Sequence, residues 1–403
     1  MLDPLTIERA LRVSHGAPLI VALSGGGDSV ALLHLLRDRC GSDKLLALVV
    51  DHALRAGSGA DAAHAAAFAR DLGIAAEVLT VDWPNGAKRA QAAARAARYA
   101  VLCNRSRALG AKTILVAHTA DDQIETLLMR AAAGSSWRGL AGMAAFAPAP
   151  VWPEGRGLWL ARPLLDARRA ALRNSLRERG AAWLEDPANN NDAFERVRVR
   201  ARVIAREQAG ADMMLLPRLA GEIRTRVEQL DRETAALIAR TTRFDGPVIS
   251  VDRAVWVSAP DQPRRRALSV LITAAAGAER EPQGVERLDR MLLADTATGA
   301  TLGGARITLK SGLIQLDRDP GALTGRAGVP PLAPHVLAPH DATVWDGRLE
   351  LRVSEPGWAI VATPRGAELR RDGDSRALSP LPDQNYAVWL LRQRVAHLLG
   401  EHD

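Results

Sequence analysis

The chain has 403 residues, of which 47% are hydrophobic and 25% charged, and its formal net charge is +7. At this length we expect two or three domains, each with its own hydrophobic core, and no uninterrupted apolar run reaches the ~20 residues of a membrane span. Cys40 and Cys103 stand alone in the sequence, which excludes a disulfide framework and a C-x-x-C motif and argues against a cysteine-ligated zinc or iron–sulfur site. Because the first residues also lack a basic and apolar leader, we expect a cytoplasmic protein.

The excess of basic residues favours a polyanionic partner such as nucleic acid. Lysine is rare, since it occurs only at positions 44, 88, 112 and 310, so the excess is almost entirely arginine. Enrichment in arginine and alanine can also follow genome composition. The charge by itself therefore supports a nucleic-acid partner only modestly.

In chain order, residues 6–13 have the pattern of a short leading helix, and the first informative stretch follows it. An apolar run of strand length, 19–23, meets the turn Ser24-Gly25-Gly26-Gly27-Asp28-Ser29, and apolar residues at helical spacing come next. Consecutive glycines let the backbone approach a ligand closely, and the helix start behind them offers unpaired N–H groups to a phosphate. A carboxylate among phosphates is repulsive unless a divalent cation such as Mg²⁺ bridges them. The stretch therefore predicts a site for a metal-chelated polyphosphate, with Asp28 as the metal ligand.

Two commoner nucleotide loops do not match this turn. A Walker A loop needs Gly-Lys-Ser/Thr and the turn has no lysine, and the dinucleotide fingerprint G-x-G-x-x-G is not present either. An ordinary glycine-rich turn is the alternative for a bare glycine cluster, but Ser-Gly-Gly-x-Asp-Ser directly after an apolar strand is more specific. It resembles the PP-loop of the ATP pyrophosphatases, enzymes that adenylate a substrate and release pyrophosphate.

Apolar strands and helices alternate through the rest of the first half. The pattern predicts strands over 45–50, 75–81 and 113–117, a last strand and turn over 159–165, and helices over 60–72, 91–109 and 167–179. Strands that are apolar throughout and alternate with helices indicate a parallel sheet covered on both faces. Ligands bind such sheets at the carboxyl ends of the strands, which is where the polar clusters of this sequence fall.

Polar residues follow the second predicted strand at Asp51, His52 and Arg55. Asp51 and His52 could hold the ribose or base of a nucleotide or help to bind metal, and Arg55 could reach a phosphate with its planar guanidinium. An ordinary strand-end turn with a capping aspartate is the alternative. The position beside the glycine-rich turn favours the functional interpretation.

His118 follows the strand at 113–117, and acidic residues crowd the start of the next helix. Asp121, Asp122 and Glu125 lie within about one turn of each other. Acidic residues there also complement the helix dipole and cap the helix, which is the structural alternative. The functional interpretation is a pocket for a cationic amine, with His118 orienting a phosphate or transferring a proton.

The remaining predictions are coarser. The loop at 134–157 is rich in glycine, alanine and proline, and long loops of this kind tend to be functional or mobile. Arg196, Arg198 and Arg200 alternate with valines after a polar turn at 189–192. They could grip a nucleic-acid backbone, or they could be the charged side of an exposed helix.

The second half of the chain carries no chemical motif. It predicts helices over 213–239, 263–275, 285–293 and 386–399, strands over 248–251, 305–309 and 313–316, a Pro-rich linker over 329–340 and a hairpin over 344–351. We therefore divide the chain into a catalytic α/β domain at 1–210, a mainly helical domain at 211–328 that ends in a β-hairpin, and a small α+β region at 329–403.

These motifs together resemble the tRNA(Ile)-lysidine synthetases, a family of N-type PP-loop ATP pyrophosphatases that act on tRNA. The resemblance rests on residues 24–29, 51–55, 117–118, 121–126, 134–140 and 162–165, and on Trp183 with 186–189. It covers the first half of the chain closely and the second half only in layout. It implies a Rossmann-like parallel sheet in a PP-loop domain, followed by a small helical domain and a small β-containing C-terminal region. Ala53 departs from the glycine that is usual in the family.

The family's reaction converts the wobble cytidine of a CAU anticodon into lysidine. ATP adenylates the C2 oxygen of the base, pyrophosphate leaves, and the ε-amine of lysine then attacks C2 and expels AMP. The resemblance thus implies ATP, Mg²⁺, L-lysine and tRNA(Ile) as ligands. Another adenylating PP-loop enzyme, such as a tRNA thiolase or an amide-forming enzyme, and a non-catalytic nucleotide-binding module are the alternatives. The sequence leaves the oligomeric state open, a homodimer included.

The resemblance also suggests a role for each candidate residue. Those expected to hold ATP and its metal, or to border the nucleotide, are Ser24, Gly25, Gly26, Gly27, Asp28, Ser29, Asp51 and His52. The expected catalytic residues are Asp28, His118 and Arg55, and the expected lysine ligands are Asp122 and Glu125. The candidates for tRNA contact are Arg138, Arg196, Arg198 and Arg200.

Overall fold

The computed structural model describes residues 2–55, 57–83, 90–185, 195–294, 299–326, 328, 330–364, 366–371, 374–376 and 386–401. It divides into two compact units, Met1–Val227 and Glu228–Asp403. The three-part division at residues 210 and 328 stays a prediction. Within the described residues, no helix is both long enough and apolar enough to cross a membrane.

The first unit alternates strands and helices, as the sequence predicts. Its elements are α1 (Pro4–Ser14), β1 (Leu19–Ala22), α2 (Gly27–Cys40), β2 (Leu45–Asp51), α3 (Ser58–Asp71), β3 (Ala75–Thr80), α4 (Gln91–Ala108), β4 (Thr113–Leu115), α5 (Ala120–Ala132), a 3-10 turn (Gly139–Ala141), β5 (Phe146–Pro148), β6 (Trp159–Ala161), α6 (Arg169–Glu178) and α7 (Glu195–Gln208). A long helix, α8 (Leu215–Thr241), contains the boundary between the units.

A six-stranded sheet with the order β3-β2-β1-β4-β6-β5 organises this unit. All neighbours pair in parallel except β5, which runs antiparallel to β6. The residues of β1 are at most 3% exposed and alternate between two apolar clusters, one on each face of the sheet. The predicted parallel sheet with covered faces is therefore confirmed, and strand order reverses beside β1, where ligands bind sheets of this kind.

Two helices begin at the carboxyl ends of neighbouring central strands. α2 starts at Gly27, so the second half of the predicted turn, 27–29, forms the first turn of this helix. α5 starts after β4 behind a capping box in which Thr119 and Asp122 bond to each other's backbone N–H groups. α5 also packs through Ile124 against Val199 and Val203 of α7. This apolar contact brings the arginines of α7 against the acidic turn of α5.

The second unit contains three antiparallel sheets. Its elements are β7 (Thr242–Asp245), β8 (Val248–Asp252), α9 (Arg253–Val257), α10 (Asp261–Ala276), α11 (Val285–Leu293), β9 (Gly299–Leu302), β10 (Ala305–Lys310), β11 (Leu313–Arg318), α12 (Pro320–Thr324), β12 (His335–Val336), β13 (Thr343–Trp345), β14 (Leu349–Arg352), β15 (Ala359–Thr363), β16 (Gly366–Arg371), β17 (Asp374–Arg376), β18 (Tyr386–Trp389) and α13 (Leu391–Leu399). The strand orders are β7-β8-β11-β10-β9, β12-β15-β16-β17 and β13-β14-β18.

The predicted final helix over 386–399 is wrong in its first part. Tyr386–Trp389 forms β18 and pairs antiparallel with β14, and the helix begins only at Leu391. Aromatic and β-branched residues at Tyr386, Val388 and Trp389 suit a strand, and the partner that decides the matter lies more than thirty residues earlier in the chain. The helices predicted over 263–275 and 285–293, by contrast, are confirmed as α10 and α11.

Candidate active site

A cleft of about 330 Å³ opens where β1 and β4 end. One side is the turn after β1, with Ser24, Gly26, Asp28 and Ser29, and the other is the start of α5, with His118 and Asp122. The sequence predicts that these two stretches meet, because carboxyl ends of adjacent parallel strands share one edge of the sheet. The structure brings them together around one cavity.

Backbone geometry at Gly25 explains why the turn needs glycine. Its φ is +80°, and a Cβ atom there would lie 2.7 Å from Leu184 Cδ1 and 3.0 Å from Ala65 Cβ. Its carbonyl accepts a hydrogen bond from the N–H of Leu184 at 2.9 Å. A side chain would therefore be strained and would also clash with the segment that holds the turn in place.

Two serines fix the shape of the turn from within. The Ser29 hydroxyl donates to the carbonyl of Gly26 at 2.9 Å, and it accepts the N–H of Ser24 at 3.2 Å. The two serine hydroxyls lie 3.1 Å apart. Gly26 precedes α2 and provides no side-chain cap for its first turn. The turn is therefore held in one shape before a ligand binds. The side chain of the N-cap residue does not occupy the first N–H groups of α2, so these groups can bind an anion in the cleft.

Asp28 has one carboxylate oxygen paired and one unpaired. Oδ2 accepts from Arg169 Nε at 2.9 Å, whereas Oδ1 is buried without a hydrogen-bond partner. Burial raises the pKa of Asp28, and the charge of Arg169 opposes that rise. An unpaired carboxylate oxygen beside the glycine-rich turn suits Mg²⁺, which binds proteins through one or two carboxylates together with substrate phosphates.

Asp122 is held by the start of its own helix. Oδ2 accepts from the N–H and from the hydroxyl of Thr119, each at 2.8 Å, and Oδ1 accepts from Arg169 Nη2 at 3.1 Å. Burial alone would raise the pKa of Asp122, but the positive charges of Arg169 and Arg196 outweigh this effect, so the pKa lies below its ordinary value. Asp122 is therefore an ionised carboxylate with one oxygen turned toward the arginines of the cleft.

Glu125 is 2% exposed and accepts bonds from three arginines. Its Oε2 accepts from Arg196 Nε at 2.8 Å, and its Oε1 accepts from Arg200 Nε at 2.8 Å and from Arg169 Nη1 at 3.4 Å. Since a buried charge is stable only with paired charges and hydrogen bonds, Glu125 holds α7 and Arg169 in position. In this conformation both of its oxygens are already used within the chain.

The three alternating arginines of α7 point in two directions. Arg196 and Arg200 are four residues apart, so they share the face of the helix that meets Glu125, and both line the cleft. Arg198 lies two residues from each, and its side chain is exposed. The helical period therefore places Arg198 on a different face of α7 from Arg196 and Arg200, although the three arginines alternate regularly in the sequence.

His118 lines the cleft with a neutral imidazole. Burial lowers the pKa of His118 well below its ordinary value, and the positive charges of Arg162, Arg95 and Arg98 lower it further, against the opposing charge of Asp122. Its Nδ1 is buried without a hydrogen-bond partner. At neutral pH the ring has one N–H donor and one acceptor nitrogen, and it is not in the protonated imidazolium form.

Asp51, His52 and Arg55 do not line the cleft. Asp51 accepts the N–H of Ala53 at 2.9 Å, and bonds from the Ser58 hydroxyl and from Ala53 lower the pKa of Asp51. Ala53 has a φ of 49°, in the region that glycine prefers. Arg55 forms an ion pair with Asp61 at the surface, where its side chain is 60% exposed. These residues shape the turn after β2.

Arg138 is half-buried at the start of the 3-10 turn and does not line the cleft. The predicted match at 186–189 and the polar turn at 189–192 lie outside the described residues. Three arginines that do line the cleft are absent from the sequence prediction: Arg98, Arg169 and Arg173. Arg169 begins α6, and a basic residue at a helix N-terminus opposes the helix dipole, which is the signal that could have singled it out.

Comparison with known proteins agrees with the loop and the fold. A family model described as a PP-loop domain matches residues 5–207. A tRNA(Ile)-lysidine synthase from Mesorhizobium japonicum is 39% identical over 384 residues, covering 90% of this chain and 79% of that protein. The chain belongs to the tRNA(Ile)-lysidine synthase family.

Two further matches are a second relative and a solved structure. A tRNA(Ile)-lysidine synthase from Hyphomonas neptunium is 39% identical over 312 residues, covering 76% of this chain and 83% of that protein. Among solved structures, the U34-tRNA thiolase NcsA from Methanococcus maripaludis aligns with 14% identity and a TM-score of 0.44, over 54% of this chain and 80% of that one. The family membership makes the chain an enzyme that uses the PP-loop for ATP.

Proposed function

We propose that the chain ligates L-lysine to C2 of the wobble cytidine in the CAU anticodon of tRNA(Ile), through an adenylated cytidine, with release of pyrophosphate and AMP. The observation that carries the proposal is the single cleft in which the glycine-rich turn and its partly unpaired Asp28 face the acidic start of α5. A phosphate site and an ammonium site side by side are what this two-step reaction requires.

The turn at residues 24–29 is the proposed ATP phosphate site. Its glycines admit the phosphates closely, its serines hold the turn rigid, and the start of α2 contributes a positive dipole end. Asp28 Oδ1 is the proposed Mg²⁺ ligand, and the metal would neutralise phosphate charge as pyrophosphate leaves. Preorganised donors at developing charge are worth a few kcal/mol each, about 3 for one oxyanion donor.

Asp122 and Glu125 remain the proposed lysine ligands, with one added condition. The Arg169 guanidinium already bonds to Asp122 Oδ1 and Glu125 Oε1, so it lies where the ammonium of lysine would bind. Lysine would have to displace Arg169 from these oxygens. The neutral His118 is the proposed hydrogen-bond partner of a phosphate or of the base, because a neutral imidazole has one N–H donor and one acceptor nitrogen.

The direct test supplies the purified chain with ATP, Mg²⁺, ¹⁴C-lysine and a CAU-anticodon transcript of tRNA(Ile). We expect label in the RNA and one pyrophosphate for each lysine fixed. Omission of lysine distinguishes the alternatives, because a thiolase or an amide-forming enzyme would complete its reaction with sulfide or ammonia instead. ATP binding without any pyrophosphate would indicate a non-catalytic nucleotide-binding module.

Asp28→Asn is the matched variant for this test. The change keeps the shape of the side chain and removes the charge that burial disfavours, so we expect the chain to fold as before and to lose at least about 100-fold in pyrophosphate release. Label fixed in the RNA at the unsubstituted rate would contradict the role given to Asp28.

A further inference from the structure

Four arginines in or near the cleft have no acidic partner among the residues that the structure describes, and we call them the arginine cluster: Arg95, Arg98, Arg130 and Arg162. Arg98 lines the cleft, and Arg95 and Arg98 lie 5.0 Å and 6.0 Å from the centre of the buried Tyr99 ring. The four side chains differ in burial: Arg95 is exposed, Arg98 and Arg130 are half-buried, and Arg162 is buried.

The hydrogen bonds of the cluster go to neutral groups. Arg162 Nη1 donates to the carbonyl of Ala144 at 2.7 Å, and Arg130 Nη1 donates to the carbonyls of Gly139 and Gly142 at 2.8 Å and 3.0 Å. Arg162 is 7% exposed, and its Nε is buried without a partner. Among the residues that the structure describes, none of the four arginines forms an ion pair with a carboxylate.

The other arginines of the cleft show that this lack of acidic partners is specific. Arg169, Arg196 and Arg200 bond to Asp28, Asp122 or Glu125 at 2.8 to 3.4 Å. On that side, the positive charge is balanced within the chain. In the described part of the chain, no carboxylate balances the charge of the arginine cluster in this way, although Arg98 lines the same cleft.

The cluster is electrostatically costly to the protein alone. Burial, together with the nearby charges of Arg95, Arg224 and Arg130, lowers the pKa of Arg162 to about 10, against the opposing effect of Tyr99. Burial and Arg95 also lower the pKa of Arg98 and of Arg130. Buried charges are normally paired or hydrogen-bonded to opposite charge, so the arrangement points to an anion from outside the chain.

We propose that the arginine cluster binds phosphodiester groups of the RNA strand that carries the target nucleotide into the cleft. The assignment depends on the proposed function, because it takes RNA as the substrate. Several arginines spread from the surface inward suit a row of single charges better than one compact anion. The phosphates of ATP, the other source of the same chemistry, already have the turn at 24–29.

The test measures binding of the CAU transcript to the full chain, without ATP or lysine, at a series of salt concentrations. We expect Arg95→Gln and Arg98→Gln each to weaken binding and to reduce the slope of log K against log salt by about 1. A transcript with another anticodon should lose the same factor, because backbone contacts carry no sequence information. Mg·ATP should bind the Arg95→Gln variant, whose substituted residue does not line the cleft, with a Kd within about twofold of the parent.

Arg39→Gln is the matched control, since Arg39 is exposed near the end of α2, roughly 20 Å along the helix from the turn. It should leave the salt slope unchanged. An unchanged slope in the Arg95 and Arg98 variants would overturn the proposal, as would a loss confined to ATP binding. If the parent binds RNA but fixes no lysine, only the proposed function fails; if the parent binds no RNA, both fail.

A stability measurement separates this role from a structural one. Arg98→Met removes an unbalanced charge and keeps the aliphatic volume, so we expect the Tm of the unliganded protein to be unchanged or higher. A structural arginine would lower the Tm when replaced, and that result would overturn the assignment of Arg98 to ligand binding.

Discussion

Glu125→Gln removes the charge on which three arginines converge. Glu125 is 2% exposed, and its arginine partners Arg169, Arg200 and Arg196 are 16%, 29% and 39% exposed. Breaking a buried ion pair on one side costs about 3–5 kcal/mol. Because solvent partly screens two of the arginines, we expect the lower end, about 3 kcal/mol.

That loss is large enough to see in a melting curve. For a unit of this size each kcal/mol shifts the Tm by about 2–4 °C, so Glu125→Gln should lower the Tm of the first unit by roughly 6–12 °C. Differential scanning calorimetry of the full chain is the assay. Removing Arg200 as well, in Glu125→Gln with Arg200→Gln, should restore part of the loss because one unpaired cation is gone.

Glu207→Gln is the matched control. Glu207 pairs with Arg168 at 2.8 Å, with both side chains about one-third exposed, and such pairs contribute about 0.2–1 kcal/mol. If Glu125→Gln were no less stable than Glu207→Gln, the positioning role of Glu125 would be refuted. A loss of lysine fixation in Glu125→Gln would in that case indicate a direct contact between Glu125 and lysine.

Two further predictions concern the turn and the histidine. Gly25→Ala should lower the free energy of unfolding by about 1–2 kcal/mol for the positive φ and by about 1–3 kcal/mol more for the contact with Leu184, as measured by chemical denaturation. The control is Gly180→Ala, which has a φ of +63° and no atom near its Cβ and should show only the loss due to φ. Equal losses in the two variants would contradict the steric argument. Because the pKa of His118 is lower in the folded chain than in the unfolded one, the unfolded state takes up a proton first as pH falls below about 6.5, and stability falls with it. His118→Gln should reduce the difference in Tm between pH 7.5 and 5.5, and an unchanged difference would show that His118 is not the group that titrates.

The local pattern of the sequence predicts most of the first unit and the nature of its site. An apolar strand, a glycine-rich turn and a helix are each specified by neighbouring residues, and parallel pairing then places every strand end at one edge. The prediction of phosphate chemistry at 24–29 and of an acidic helix start at 121–125 needs nothing from distant parts of the chain.

Which charges pair with which was decided only by the tertiary structure. Arg169 bonds to Asp28, which lies 141 positions earlier in the chain, and Arg200 bonds to Glu125, which lies 75 positions earlier. The packing of α6 and α7 within the first unit selects these partners. The same holds for the arginine cluster, whose members come from α4, α5 and the segment after β6. Charge pairing depends on distances of a few ångströms between separate elements, and periodicity along the chain contains no information about those distances.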